Sequence, residues 1–243
     1  MNQIYIFIFV VIFVLVVVAL LSINARWQQK WHLQLSDISI QHGWKYQRDA
    51  SFRRNCVITG YQGDVPWTLT YVRLPTNSTK NTQYIDTAEW HSPYAKLSSG
   101  TVLVIPRLAH LPANINLDSG GMGGMMLQFL LQKIGIDSAG LSLQTVGSPQ
   151  FQTKYMVLSQ TMENARTMVT NSVENPLLNW PYVRDILQMP SITVETKGVT
   201  VRARRSVVLS EMFGQKRLDY ERELPELLLS LGITVVAAVQ SLS

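Results

Sequence analysis

The stretch "SITVETKGVTVRARR", residues 191–205, carries the clearest fold signal in the chain. Lys197-Gly198 supplies a tight turn, and β-branched residues alternate with other residues on both sides of it. These alternating residues are Ile192, Val194, Val199 and Val201. The pattern predicts a β-hairpin, so we expect antiparallel sheet in the globular part of the protein.

Further strand-like segments support this expectation. Residues 55–62 and 65–74 flank Gly63-Asp64 as a second hairpin, and further strands are predicted at 82–90, 100–108, 141–146 and 151–159. Residues 162 to about 188 predict one broken or two short helices, interrupted at Pro176 and Pro181. A last helix begins at about Tyr220 and is predicted to lie in the core. The fold class is therefore α+β, a mainly antiparallel sheet with packed helices.

The N-terminal segment predicts a single transmembrane helix. Residues 4–21, "IYIFIFVVIFVLVVVALL", contain no charge, and extension to Ile23 gives enough helix to cross a hydrocarbon core of roughly 30 Å. A cleavable signal peptide is disfavoured because no Lys or Arg precedes the apolar run and no small-x-small site follows it. We predict a retained anchor over residues 1–25.

The helix is expected to continue as an amphipathic stem, because Trp27, Trp31, Leu35 and Ile38 recur at helical spacing until Gly43 stops the pattern. Two tryptophans and two cations just after an apolar run are typical of a membrane interface. The predicted interface residues are Arg26, Trp27, Lys30 and Trp31. The alternative is that the tryptophans pack on the globular domain.

Charge and cysteine usage restrict the surroundings of the protein. Of the formal net charge of +5, a surplus of four lies in residues 1–60, next to the predicted anchor. Basic residues beside a span favour a C-terminal domain that faces the cytoplasm, with the opposite orientation as the alternative. The single cysteine, Cys56, excludes an internal disulfide. Nucleic-acid binding is not expected, because the globular part lacks a basic stripe with interleaved aromatic residues.

A glycine- and methionine-rich loop, "SGGMGGMM" at 119–126, separates a β-rich half (26–118) from an α+β half (127–243). It does not match a phosphate-binding loop, which needs a lysine and a serine or threonine at the helix start. Glycine gives such a loop many conformations, and methionine adapts to irregular apolar surfaces. Met122, Met125 and Met126 are therefore candidate contacts to lipid or a partner, with burial in the core as the alternative.

The order of several landmarks resembles a family of uncharacterised bacterial membrane-anchored proteins. The residues that carry the resemblance are Gly43-Trp44, Gly60 with Trp67, Glu89-Trp90-His91-Ser92, Val104-Ile105-Pro106-Arg107, Gly147 with Phe151 before Tyr155-Met156-Val157, and Leu177-Leu178-Asn179-Trp180. The resemblance implies an N-terminal anchor on an α+β domain and no particular activity.

Residues able to perform chemistry are scattered. No two of the four histidines have the spacing of a helical zinc site, and no nucleophile elbow is present. Glu89 and His91 share one face of a predicted strand, which is most simply a solvated face. Cys56 is interpreted as an inert core thiol. Arg202 and Arg204 are candidate contacts to an acidic partner or a lipid headgroup, the alternative being a charged edge strand.

These patterns and the resemblance favour an accessory or scaffold subunit of a bacterial envelope complex. Its anchor is expected in the inner membrane and its C-terminal domain in the cytoplasm, with the periplasm as the alternative. We predict no catalytic residue, metal or cofactor, and we expect the bilayer and a membrane protein, or a second copy of the chain, as partners. The alternatives are a lipid- or small-ligand-binding module at the membrane surface and an enzyme whose site is assembled from scattered residues.

Overall fold

A computed structural model describes residues 2–49, 55–76, 83–107, 140–181, 189–204 and 215–241. Five helices lie in these ranges: α1 (Asn2–Gln41), α2 (Pro149–Lys154), α3 (Met162–Met168), α4 (Asn171–Leu178) and α5 (Gln215–Gln240). The strands of the same ranges are β1 (Lys45–Arg48), β2 (Cys56–Gln62), β3 (Val65–Thr76), β4 (Gln83–Ser92), β5 (Val102–Pro106), β6 (Ser142–Gln144), β7 (Tyr155–Ser159), β8 (Ser191–Glu195) and β9 (Gly198–Arg204).

The strands form one nine-stranded sheet in the order β1-β2-β3-β4-β9-β8-β5-β7-β6. Every pairing is antiparallel, which confirms the predicted sheet type and the α+β class. The hairpin predicted from residues 191–205 forms β8 and β9. It lies at the middle of the sheet, because β9 pairs with β4 and β8 pairs with β5. The sheet therefore joins the two halves that flank the glycine-rich loop.

Two local predictions were wrong. Residues 151–154 were expected to begin a strand but form most of α2, where Ser148 accepts a hydrogen bond from the Phe151 N–H as the N-cap and Pro149 follows it. The break between α3 and α4 lies at Val169-Thr170, while Pro176 lies inside α4. Pro176 is the sixth of the eight residues of α4, so only one backbone hydrogen bond near the C-terminal end of the helix is lost.

The helix α1 consists of two physically different parts. Its large apolar side chains from Tyr5 to Val18 are 37–71% exposed on every face. Further along, Trp31, Leu35 and Ile38 are at most 6% exposed and face the sheet. The predicted stop is confirmed, because the helix ends at Gln41 and Gly43 takes a positive φ of 69°.

The main core lies between one sheet face and the helices, and the other face is also buried at β5 and β7 through Leu103, Met156 and Leu158. Alternate residues of the central strands point into it, among them Tyr71 on β3, Trp90 on β4 and Val201 on β9. The helix α5 packs on these strands through Leu224, Leu228 and Leu231. A Cβ on Gly232 would lie 2.4 Å from Trp90 Cε3, so the close approach of α5 to the Trp90 indole requires glycine here.

Among the side chains that the structure describes, one helical segment is long and apolar enough to cross a bilayer by length and composition, Tyr220–Gln240. Half of its most apolar stretch is buried in the protein, which agrees with the prediction of a core helix. A shorter apolar helical stretch covers Tyr5–Ala19.

Replacing Gly232 by alanine should push α5 away from the sheet. We expect the added methyl group to reduce the free energy of unfolding by about 1–3 kcal/mol, as overpacking of a filled core does. The matched control is Ser230→Ala on the exposed side of the same helix, which should change stability by less than about 0.5 kcal/mol. Thermal unfolding in detergent followed by tryptophan fluorescence measures both, and equal transition temperatures would contradict the packing at Trp90.

Candidate functional site

The four predicted interface residues lie in α1 just after its exposed apolar part, and the structure gives them different environments. Arg26 and Lys30 are exposed, as an interfacial position requires. Trp31 is 2% exposed and its ring meets Tyr71 edge to face, with centroids 5.3 Å apart. Trp31 therefore belongs to the domain core and not to the membrane interface, which is the alternative reading of this residue. The side chain of Trp27 lies outside the described part of the chain.

A buried polar cluster joins the stem to the edge of the sheet. His32 Nδ1 and the Tyr46 hydroxyl are 2.5 Å apart, and Tyr46 also forms a hydrogen bond with the Cys56 thiol. Burial and then the Cys56 thiol raise the pKa of Tyr46 well above its usual value, against a smaller lowering by Arg48. Tyr46 therefore stays neutral, and its hydroxyl fastens β1 to α1.

Cys56 is 1% exposed, so its thiol is enclosed in the protein. Its position in the core agrees with the interpretation as a packing residue.

The opposite face of the central sheet carries the polar residues that were candidates for chemistry. Glu89 Oε2 accepts hydrogen bonds from Arg202 Nε at 2.9 Å and from Arg202 Nη2 at 2.6 Å. His91 Nδ1 lies 3.1 Å from the Thr200 hydroxyl on the neighbouring strand. Glu89 and His91 do share a face, and each is engaged with a residue of β9.

The alternative interpretation of Arg202 and Arg204, a charged edge strand, was wrong. Their strand, β9, lies between β4 and β8 inside the sheet. The guanidinium of Arg202 is neutralised by Glu89 on the neighbouring strand. An acidic partner would therefore have to compete with Glu89 for it. Arg204 is half-buried, and its carbonyl accepts a hydrogen bond from the Tyr220 hydroxyl.

An open cavity of about 490 Å³ lies at the end of α1, and sequence reasoning did not find it. His42 stacks on Trp44 with ring centroids 4.4 Å apart, and Trp44 meets Trp67 edge to face at 5.0 Å. Gly60 lies under both indoles, where a Cβ would come within 2.9 Å of each. The landmarks Gly43-Trp44, Gly60 and Trp67 were the available signal, because a glycine beside aromatic residues indicates close packing.

The cavity is bordered by a contact between two helices. His42 Nε2 lies 3.0 Å from Glu226 Oε1, with side chains 43% and 56% exposed. An exposed pair of this kind contributes less than about 1 kcal/mol. The arrangement offers aromatic faces and two polar groups, which suit stacking and hydrogen bonding of a small ligand more than acid–base chemistry.

Metal ligation finds no support in the ranges that the structure describes, because these contain no group of three or more His, Cys, Asp or Glu side chains able to hold a metal. Met122, Met125 and Met126 lie outside the described residues, so their role stays a prediction. Comparison with protein-family models, curated proteins and solved structures finds no match to this chain. The resemblance to bacterial membrane-anchored proteins therefore also stays a prediction.

The Tyr46→Phe variant should show how much the buried cluster contributes. Loss of the hydroxyl leaves His32 Nδ1 without this partner, and we expect the free energy of unfolding to fall by about 1–3 kcal/mol. Tyr61→Phe is the control, since Tyr61 is 71% exposed and should tolerate the same change. Urea unfolding of both variants measures the difference; a Tyr46→Phe protein as stable as the control would show that the cluster does not hold α1.

Proposed function

We propose that this protein is a single-pass, membrane-anchored accessory or scaffold subunit of a bacterial envelope complex. The exposed apolar part of α1 lies in the bilayer, and the part that carries Trp31, Leu35 and Ile38 packs on the domain. The sheet is thereby held at the membrane surface. The domain faces the cytoplasm, as the basic residues after the apolar run favour.

The observation that carries the proposal is the exposure of α1 from Tyr5 to Val18. Soluble proteins rarely expose a continuous apolar patch of more than a few hundred Å². Here every turn of the helix presents large apolar side chains, with Phe7, Phe9 and Phe13 each at least 61% exposed. A helix that is apolar on all sides needs an apolar environment on all sides, and hydrocarbon supplies one.

Length and charge support the same assignment. The apolar run from Ile4 to Ile23 contains no Asp, Glu, Lys or Arg, and at 1.5 Å per residue it extends about 30 Å. This is roughly the thickness of the hydrocarbon core. The first cation after the run is Arg26, which is exposed, so the charge begins where the headgroup layer would begin.

A role as a binding scaffold is supported by the sheet face opposite the main core. Five half-buried threonines on β2, β3, β8 and β9 form a polar surface there, which we call the threonine face. They are Thr59, Thr68, Thr70, Thr193 and Thr200. The Glu89–Arg202 pair lies among them and is internally neutral. Such a surface fits a membrane-protein partner or a second copy of this chain, joined through many weak polar contacts.

The aromatic cavity favours a second candidate, a small-ligand-binding module. The stacked His42 and Trp44 rings provide a platform for a planar or apolar ligand, at the end of the stem away from the anchor. A small molecule retained by the purified protein and lost in Trp44→Ala would favour this candidate.

The anchor can be tested by placing lysines in the exposed apolar part of α1. A Val10→Lys, Val14→Lys double variant should lose membrane association, because each lysine near the centre of a bilayer costs about 2.5–3.5 kcal/mol. The control is Leu33→Lys with Ile40→Lys, since these residues are 56% and 72% exposed on the stem. We expect the control to remain in the membrane pellet after alkaline extraction and the double variant to be released. Release of both, or of neither, would contradict the proposed division of α1.

The scaffold part of the proposal is tested on the same membranes. Mild cross-linking followed by purification should recover a membrane protein, or a second copy of the chain, at a fixed ratio. Thr68→Arg on the threonine face should reduce that recovery at least several-fold, whereas Ser230→Arg on the exposed side of α5 should not. Unchanged recovery with Thr68→Arg would place the partner elsewhere.

A further inference from the structure

Part of the hairpin formed by β3 and β4 extends beyond the described ends of the strands beside it. The strand β2 pairs with β3 only as far as Tyr71, and β9 pairs with β4 only as far as Thr87. Beyond these residues β3 and β4 continue as a pair to Thr76 and Gln83. Within the described residues, 73–76 and 83–86 thus have only each other as neighbours in the sheet; we call them the ribbon.

The contacts of α1 show the direction in which the ribbon projects. After α1 ends, the Trp44 N–H donates to the Ser39 carbonyl at 2.7 Å, and Tyr46 on β1 reaches back to His32. The strand β1 therefore runs back along the stem toward the apolar part of α1. Because β2 is antiparallel to β1 and β3 is antiparallel to β2, β3 runs the same way as β1.

The edge-to-face contact of Trp31 with Tyr71 places the helix and the strand at a common level. From Tyr71 the strand continues five residues to Thr76, about 16 Å at 3.3 Å per residue. From Trp31 the helix extends eight residues back to Ile23, about 12 Å at 1.5 Å per residue. The end of the ribbon therefore reaches the level at which the apolar run of α1 ends.

The sequence of the ribbon suits that level. Its charged residues, Arg73 and Asp86, are opposite each other in register. The pairs nearer the end are uncharged: Leu74 with Ile85, Pro75 with Tyr84, and Thr76 with Gln83. Tyrosine is enriched in the headgroup layer.

We propose that the ribbon is a second membrane contact, whose end lies in the phospholipid headgroup layer of the leaflet next to the domain. This inference rests on the proposed anchoring through α1. A single helix in a bilayer can tilt and rotate about its own axis, whereas a second contact beside it restricts both motions of the domain. The threonine face is then held at a constant angle to the bilayer.

The test uses the full chain in vesicles of phosphatidylcholine and phosphatidylglycerol. An environment-sensitive fluorophore is attached at Gln83→Cys, and the control is Asp64→Cys in the turn at the opposite end of β3. The parent chain is the blank, because Cys56 is 1% exposed. Lipids with a nitroxide on the headgroup should quench the label at residue 83 at least several-fold more than the label at residue 64.

Flotation of the same vesicles separates the two proposals. Protein that floats with the lipid but shows equal quenching at residues 83 and 64 would overturn the ribbon contact and leave the anchor standing. Protein that does not float would overturn the anchor and the ribbon contact together. Thr76→Cys, the register partner of Gln83, repeats the measurement in case the label at 83 disturbs folding, which tryptophan fluorescence reports.

Discussion

The docking of the α1 stem on the sheet is the contact on which the rest of the structure depends. Trp31, Leu35 and Ile38 face the core on one side of a helix whose upper part is apolar all round. The contact of the Trp31 ring with Tyr71 sets the position of the helix along β3. The hydrogen bond between His32 and Tyr46 holds β1 against the helix. Without this contact the domain would lose one wall of its core.

Because α1 is one helix from Asn2 to Gln41, the proposed anchor and the domain have no linker between them. A flexible linker would let the domain diffuse around its anchor, whereas a continuous helix transmits the position of one part to the other. The direction of β3 and β4 matters for the same reason. The ribbon extends alongside the helix, so it meets the same environment as the helix at that level. The same constraint fixes the threonine face relative to α1.

Much of the architecture follows from local patterns in the sequence. The alternation around Lys197-Gly198 and Gly63-Asp64 predicts two hairpins that the structure confirms, and Gly43 correctly marks the end of the stem. The order of the strands could not be predicted, because β4 pairs with β9 across more than a hundred residues and no local pattern records that choice. The strand β1 was missed because three polar or charged residues and one tyrosine show no apolar alternation.

The candidate sites were less predictable than the fold. Arg202 looked like a cation available to a partner because Glu89 is distant in sequence, and only the pairing of β4 with β9 brings them together. Trp31 followed an apolar run like an interfacial residue, but the same helical spacing serves packing on a domain, and Tyr71 is the group that decides between them. The aromatic cavity depends on Trp44, Gly60 and Trp67, which three different segments supply.

The central claim, one helix shared between bilayer and domain, is tested most directly by a nitroxide scan along α1 in reconstituted membranes. The account predicts high oxygen accessibility without helical periodicity from Tyr5 to Ile23. From about Gln28 to Gln41 it predicts accessibility that oscillates every 3.6 residues, with minima at Trp31, Leu35 and Ile38. Oscillation that begins at Tyr5, or water accessibility throughout the apolar run, would contradict the account.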